Sequence, residues 1–262
     1  MRYCSWLLFI VIPVGSTAQP AFRWPEGKQC AISLSFDDAR ESQVIYGTDV
    51  LNAFQVKATF YVVPAAVKKQ LTGWQKAVRE GHEIGNHSVY HPCSGNFSWS
   101  RQHALEKYTL RQMRQELNDC TRQIDSLLHT SCHVFAYPCG QTYIGKGPAT
   151  KSYVPIVSRL FLSGRGWLDE APNDPVYCDL SQLTGIELDG KSFEQIRPLI
   201  EEARQKGLWI IFAGHEMNSS GPQTTQLETL KALLDYAKDP QRGIWIEPVG
   251  VVSQYVAERR LP

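Results

Sequence analysis

The chain has 262 residues, 43% of them apolar, with 27 Lys+Arg set against 26 Asp+Glu. That length supports one large domain with a well-buried core. The near balance of charge, without a basic block or tail, argues against a nucleic-acid partner, because no cluster is present to neutralise a phosphate backbone.

The chain opens with a basic Arg2, an apolar run over residues 6–12, a Pro13/Gly15 break and the small pair Ser16/Ala18 at signal-peptidase spacing. This predicts a signal peptide over residues 1–18 and a mature, exported chain from about Gln19, secreted or periplasmic. The run is too short to span a bilayer and no later stretch approaches the length of a transmembrane helix, so no stable membrane insertion is expected. Without Cys4, six cysteines remain: Cys30, Cys93, Cys120, Cys132, Cys139 and Cys178. An oxidising compartment favours disulfides, with Cys120 and Cys132 a plausible local pair and the other pairings open. A structural zinc site ranks lower, because no C-x-x-C spacing occurs.

Strand patterns are predicted at residues 31–36, 57–63, 83–87, 133–137, 159–163, 185–188, 208–213 and 244–248. Helical patterns fill residues 42–54, 65–80, 102–128, 193–206, 225–236 and 251–259, and Gly81 and Gly207 stand at two of the ends. The segment 102–128 is the clearest, with Leu105, Tyr108, Met113, Leu117, Cys120, Ile124 and Leu127 spaced to bury one face. Seven or eight strand-then-helix units without a dinucleotide glycine fingerprint predict a single-domain α/β protein built as an irregular (β/α) barrel over residues 19–262.

Barrel chemistry sits at the C-terminal ends of strands, and the polar clusters fall there. Asp37 and Asp38 close the first strand, two adjacent carboxylates that repel unless a cation or proton relieves them. His87 and His91 follow the third, four residues apart, a spacing that on a helical turn or a helix-like loop points both imidazoles at one spot. With a carboxylate they form a three-ligand set that leaves a position open for water. His215 lies just past the seventh strand and Gly214, where a glycine would let the chain approach a ligand. His82, His103 and His129 read as packed polar groups. Trp99 and Trp167 lie on rim loops, where an indole could stack on a sugar ring or simply pack.

Ser35-Phe36-Asp37-Asp38, the run from Gly81 to His91, Phe135-Ala136-Tyr137-Pro138-Cys139-Gly140 and the late His215 resemble the ordered motifs of the polysaccharide deacetylase family, carbohydrate esterase family four, from about Ala31 to Glu216. The resemblance implies a distorted (β/α) barrel of seven or eight strands. It implies a divalent metal, usually zinc, on Asp38, His87 and His91, with Asp37 as general base and His215 as general acid. The backbone N–H of Cys139 would help stabilise the oxyanion, with Pro138, Arg165 and Trp167 at the substrate side. Two departures stand out. Ala136 occupies the place where many members carry an Arg that tunes the base, so Arg165 at the end of the next strand is expected to supply that charge. Cys139 replaces an aromatic side chain. The expected activity is deacetylation of an N- or O-acetylated oligo- or polysaccharide. The alternatives are an amidohydrolase acting on a non-sugar amide and a non-catalytic carbohydrate-binding protein.

Overall fold

A computed structural model describes residues 22–260, so the expected signal peptide lies outside the described residues. Eight strands form one parallel sheet: β1 (Cys30–Asp37), β2 (Thr59–Val62), β3 (Glu83–Asn86), β4 (Val134–Ala136), β5 (Ser163–Arg165), β6 (Ile186–Glu187), β7 (Trp209–Gly214) and β8 (Ile244–Ile246). Their spatial order is β5-β4-β3-β2-β1-β7-β6, and β8 pairs the first residues of β1, below the stretch that pairs β2. The sheet curls until its two edges approach: Arg165 of β5 bridges Leu183, on the segment leading into β6, and Gly166 N–H donates to Leu183 O at 2.7 Å. This is the distorted (β/α) barrel, and it forms a single domain.

β1 is buried along its whole length, as expected of a parallel strand covered on both faces. Its residues alternate. Ile32, Leu34 and Phe36 join Phe60, Trp74, Ile210 and Phe212 in the main hydrophobic cluster. The alternate set, Ser33, Ser35 and Asp37, lies on the other face, where Ser33 Oγ accepts from Trp209 Nε1 at 3.0 Å and Ser35 Oγ donates to Phe212 O at 2.9 Å. The strand's polar residues are thereby satisfied, and its last one is delivered to the barrel mouth.

The long helix runs Leu110–Leu128, shorter at its start than the pattern over 102–128 suggested. Thr109 and Gln112 form a capping box that fixes the beginning, and the preceding residues make 3-10 turns at Ser98–His103 and Leu105–Lys107. His129 ends it in the left-handed conformation. The expected strand over 159–163 is corrected: residues up to Leu160 close the helix Val154–Leu160, and β5 starts at Ser163. A short apolar run does not reveal its period, and here Ile156, Val157 and Phe161 pack with Phe135, Tyr137 and Tyr153 in a second cluster.

The Cys120–Cys132 pair is also corrected. Both are buried thiols in the main cluster, where they act as small apolar side chains, and the disulfide joins Cys93 to Cys139. Among the described residues no helix is long and apolar enough to cross a membrane.

Phe60 is fully buried, with ring centroids 5.7 Å from Phe36 and 5.4 Å from Trp74. Phe60→Ala should lower unfolding stability by about 3–5 kcal/mol, read as a lower urea midpoint at unchanged slope.

Candidate active site

The strand ends place the site residues through a run of unusual backbone. Asp38, Ala39, Ser88, His91 and Cys139 all have positive φ, at 73°, 53°, 63°, 50° and 53°. Non-glycine residues adopt this conformation only where surrounding structure enforces it, and such positions concentrate at functional sites. Of the helical turn and the helix-like loop open for His87 to His91, the segment forms a loop. Ser88 N–H donates to Asn86 Oδ1 at 2.8 Å, Tyr90 N–H to Glu116 Oε1 at 3.0 Å, and His91 N–H to Ser88 Oγ at 3.0 Å.

That loop brings two imidazoles onto one carboxylate. Asp38 Oδ1 lies 3.5 Å from His87 Nε2 and 3.3 Å from His91 Nε2. A tetrahedral ion with bonds of about 2.0–2.2 Å to N and O needs donor atoms roughly 3.3–3.6 Å apart, so both of these contacts suit a small divalent metal, and all three donor atoms lie within 4.8 Å of one another. His87 Nδ1 lies 2.9 Å from Ala136 O, a contact that puts the ring proton on Nδ1 and leaves Nε2 as a free donor. Burial, then the charge of His87, pushes His91 down to about 4, so its ring is neutral at physiological pH, as a ligand must be. Burial would raise Asp38, but His87, His91, His215 and Arg40 bring it to about 2. Arg40 Nη2 sits 2.8 Å from Asp38 Oδ2, on the side away from the imidazoles' shared oxygen. A second grouping, His91, Cys93 and Cys139, has both sulfurs committed to the disulfide.

Two carboxylate pairs flank the trio. Asp37 is 3% exposed and its Oδ1 accepts from Nη2 of the fully buried Arg165. Burial favours the neutral acid, but Arg165, followed by His87 and His215, outweighs it and holds Asp37 below its ordinary value. Ala136 and Arg165 face each other in the β4–β5 ladder, so the guanidinium comes from the strand beside the alanine. On the other flank, His215 Nδ1 lies 2.7 Å from Asp189 Oδ2. Asp189 Oδ1 accepts from His215 N–H at 3.1 Å and from Thr225 Oγ at 2.9 Å. Burial would lower His215, but the Asp189 hydrogen bond and the charges of Asp37, Asp38 and Asp189 raise it.

Asp189 is the residue that the sequence reading missed. It directly follows β6 and Leu188, so the strand-end rule could have found it, but a lone Asp before a Gly reads as a turn. Gly214 also has a different reason from the one expected: a Cβ there would strike Thr225 Oγ and come within 2.8 Å of Asp189 Oδ1, so it makes room for the partner of His215 rather than for a ligand.

These residues form the floor of a cavity of about 1010 Å³ whose rim includes Phe97, Trp99, Trp167 and Leu168. Cys139 and Trp167 line it as expected. Pro138 and Arg165 do not: both are buried behind the wall, and Arg165 meets Asp37 instead of solvent. Trp167 stands edge-on to His215 at 4.8 Å between ring centroids, while Trp99 is 60% exposed and stacked on Phe97. His82 and His103 lie outside the site, His82 accepting from Ala58 N–H at 3.2 Å and His103 stacked on Tyr90.

Fold and site together define a (β/α)-barrel protein with a two-histidine, one-aspartate cluster at the strand C-terminal ends, between a buried base-like carboxylate and a carboxylate-bound imidazole. The family model of the polysaccharide deacetylases matches residues 22–150 of this chain. Peptidoglycan-N-acetylglucosamine deacetylase PgdA of Listeria monocytogenes is 40% identical over 62 residues, 23% of this chain and 13% of that protein. The chain therefore spans a small part of such a relative. Among solved structures, a Mycobacterium smegmatis chain assigned to the polysaccharide deacetylases superposes with TM-score 0.64 at 16% identity, covering 93% of this chain and 96% of that one. A family pseudoenzyme from Bacillus anthracis superposes with TM-score 0.51 at 16% identity, covering 86% and 66%. The fold thus occurs with and without activity, and the site's own residues have to carry the functional argument.

Arg165→Met should destabilise the protein by about 3–5 kcal/mol at neutral pH, because it leaves a buried carboxylate unpaired. Asp37 is depressed in the folded state, so its contribution is complete above the unfolded carboxylate value near ~3.9 and is lost as pH falls through the folded value. The gap in melting temperature between wild type and Arg165→Met should narrow as pH drops below about 4.

Proposed function

We propose that the chain is an exported, metal-dependent hydrolase that removes acetyl groups from an N- or O-acetylated carbohydrate, with N-acetylated hexosamine polymers as the first substrate class. The observation that supports it most is the arrangement of two oppositely tuned groups about one trio. Asp37 is held ionised by Arg165, and His215 is favoured in its protonated form by Asp189, on either side of Asp38, His87 and His91.

Asp38, His87 and His91 would hold the divalent ion, with zinc the best match to two nitrogens and one oxygen. Such an ion supplies Lewis-acid polarisation of the acetyl carbonyl and lowers the pKa of water. The chain's own residues do the rest. Asp37 takes the proton from the attacking water as its oxygen bonds to the carbonyl carbon. The developing oxyanion is met by the backbone N–H of Cys139. His215 gives its proton to the departing nitrogen or oxygen as that bond breaks, so that acetate and a neutral amine or alcohol leave. Phe97, Trp99 and Trp167 offer flat faces at the rim for sugar rings, and the PgdA relative acts on peptidoglycan N-acetylglucosamine by its name.

The non-catalytic reading has the pseudoenzyme neighbour in its favour, but a binding protein needs neither a base nor a proton donor, and this site has both.

The zinc-loaded full chain should release acetate from chitooligosaccharide, peptidoglycan or acetylated xylan, and the substrate that responds identifies the bond. Asp37→Asn and His215→Ala should each lower kcat by roughly 10²–10⁴-fold. Zinc bound at equilibrium dialysis with no acetate from any of the three would decide for the non-sugar or non-catalytic reading. Because Asp37 is depressed and His215 raised, both are in their working forms across a broad range. Activity should fall on the acid side as pH approaches about 4, where the His91 ring takes up a proton, hold to beyond the ordinary histidine value of ~6.5, and fall on the alkaline side as His215 deprotonates.

A further inference from the structure

Gln43 joins the residues read as base and acid through their own backbones. The β1–β7 ladder ends at the Phe36–Gly214 pair, so the carbonyls of the next two residues, Asp37 and His215, have no rung between them. The Gln43 side chain takes that place. Its Nε2 donates to Asp37 O at 2.7 Å and to His215 O at 2.8 Å. The residue is fully buried, and its Oε1 has no hydrogen-bond partner among the described residues. An unsatisfied buried acceptor costs about 1–3 kcal/mol, which an apolar side chain of the same shape would avoid. Space filling therefore does not account for an amide at this position.

The local backbone is shaped to deliver it. Gln43 opens a five-residue π-helical turn, Gln43–Gly47, a widened turn that occurs mostly at functional sites. The wide turn lies against Met217, and a Cβ on Gly47 would come within 3.1 Å of Met217 Cβ. Ser42 adds a second link to the same strand end: its Oγ donates to Glu216 Oε2 and accepts from Met217 N–H at 2.9 Å. Arg165 holds Asp37 from β5, and Asp189 holds His215 from the end of β6. Gln43 ties these two halves together.

We propose that Gln43 is a positioning residue that fixes the separation of Asp37 and His215 by bridging their main-chain carbonyls. The inference rests on the deacetylase reading. In that reaction one water loses a proton to Asp37 and one leaving atom gains a proton from His215 on the same tetrahedral carbon, so both groups must reach within about 2.6–3.2 Å of their targets at once. A misplacement of about 1 Å in either costs on the order of a hundredfold.

The test is Gln43→Met, which keeps length and loses the donor, compared with wild type in the zinc-loaded full chain. The expected result is a kcat on the responding substrate lower by roughly 10–100-fold, with KM within about twofold and zinc stoichiometry unchanged. A lower melting temperature with undiminished kcat would make Gln43 a packing residue and overturn the proposal. Should Gln43→Met not fold, Gln43→Asn, an amide that falls one bond short, carries the same comparison. A crystal structure of the variant separates this inference from the reading beneath it: Asp37 and His215 keeping their wild-type positions overturns the Gln43 role whether or not the wild type releases acetate. Absence of acetate from the wild type overturns only the deacetylase reading.

Discussion

The buried pair between Arg165 and Asp37 is the constraint around which the mouth of this barrel is built. Arg165 is fully removed from solvent and Asp37 nearly so, and leaving either charge there alone would cost about 3–5 kcal/mol. The geometry around them shows the accommodation. Arg165 Nη1 also donates to Gly166 O at 2.6 Å, and the guanidinium carbon lies 4.9 Å from the centre of the Tyr61 ring, a cation–π contact from β2. Gly185 leaves space for the side chain, since a Cβ there would come within 2.7 Å of Arg165 Cδ. Residues from β1, β2, β5 and the segment before β6 thus meet on one ion pair, and the curl that brings the sheet's edges together is what allows it.

The consequence for chemistry is a division of labour among carboxylates. Three aspartates lie within one site, and each has a different partner: Asp37 has Arg165, Asp38 has Arg40, and Asp189 has His215. Without those separate partners, neighbouring carboxylates would raise one another's pKa and share protons. With them, Asp37 and Asp38 are held below their ordinary values and His215 is raised above its own. The arrangement therefore favours an ionised Asp37 and a protonated His215 in one site, which is the requirement for general acid–base work at a single pH.

Much of this was legible in the sequence. The apolar run of β1, the Asp37-Asp38 pair, His87, His91 and His215 are all local signals at strand ends. The expectation that Arg165 would stand in for the missing arginine at Ala136 needed only the idea that adjacent parallel strands put their ends side by side. What stayed hidden depends on contacts that no local pattern encodes. Asp189 is 26 residues from His215, Cys93 is 46 from Cys139, and Gln43 is 172 from the His215 carbonyl it binds. The helix Val154–Leu160 was hidden differently: its run is short, and its few apolar residues suit either period.

The hidden disulfide also changes how the rim should be understood. Cys93 begins the loop that carries Phe97 and Trp99, and its bond to Cys139 fastens that loop to the turn expected to face the oxyanion. Beside it, Ser94 N–H donates to Gln141 Oε1 at 2.7 Å, and Gly145 N–H donates to Leu105 O at 2.9 Å, so the attachment has three points. Cys93 is itself pinned on its own loop, where its N–H donates to Ser100 Oγ at 2.8 Å and its carbonyl accepts from the same hydroxyl at 2.9 Å. A loop held in this way cannot shift its aromatic residues without moving the Cys139 turn, and cannot move that turn without disturbing His91, two residues from Cys93 in the chain. The aromatic rim and the Cys139 turn are therefore parts of one covalently linked body. Cys139 lines the cavity at one end of this tether, so the disulfide fixes that part of the wall.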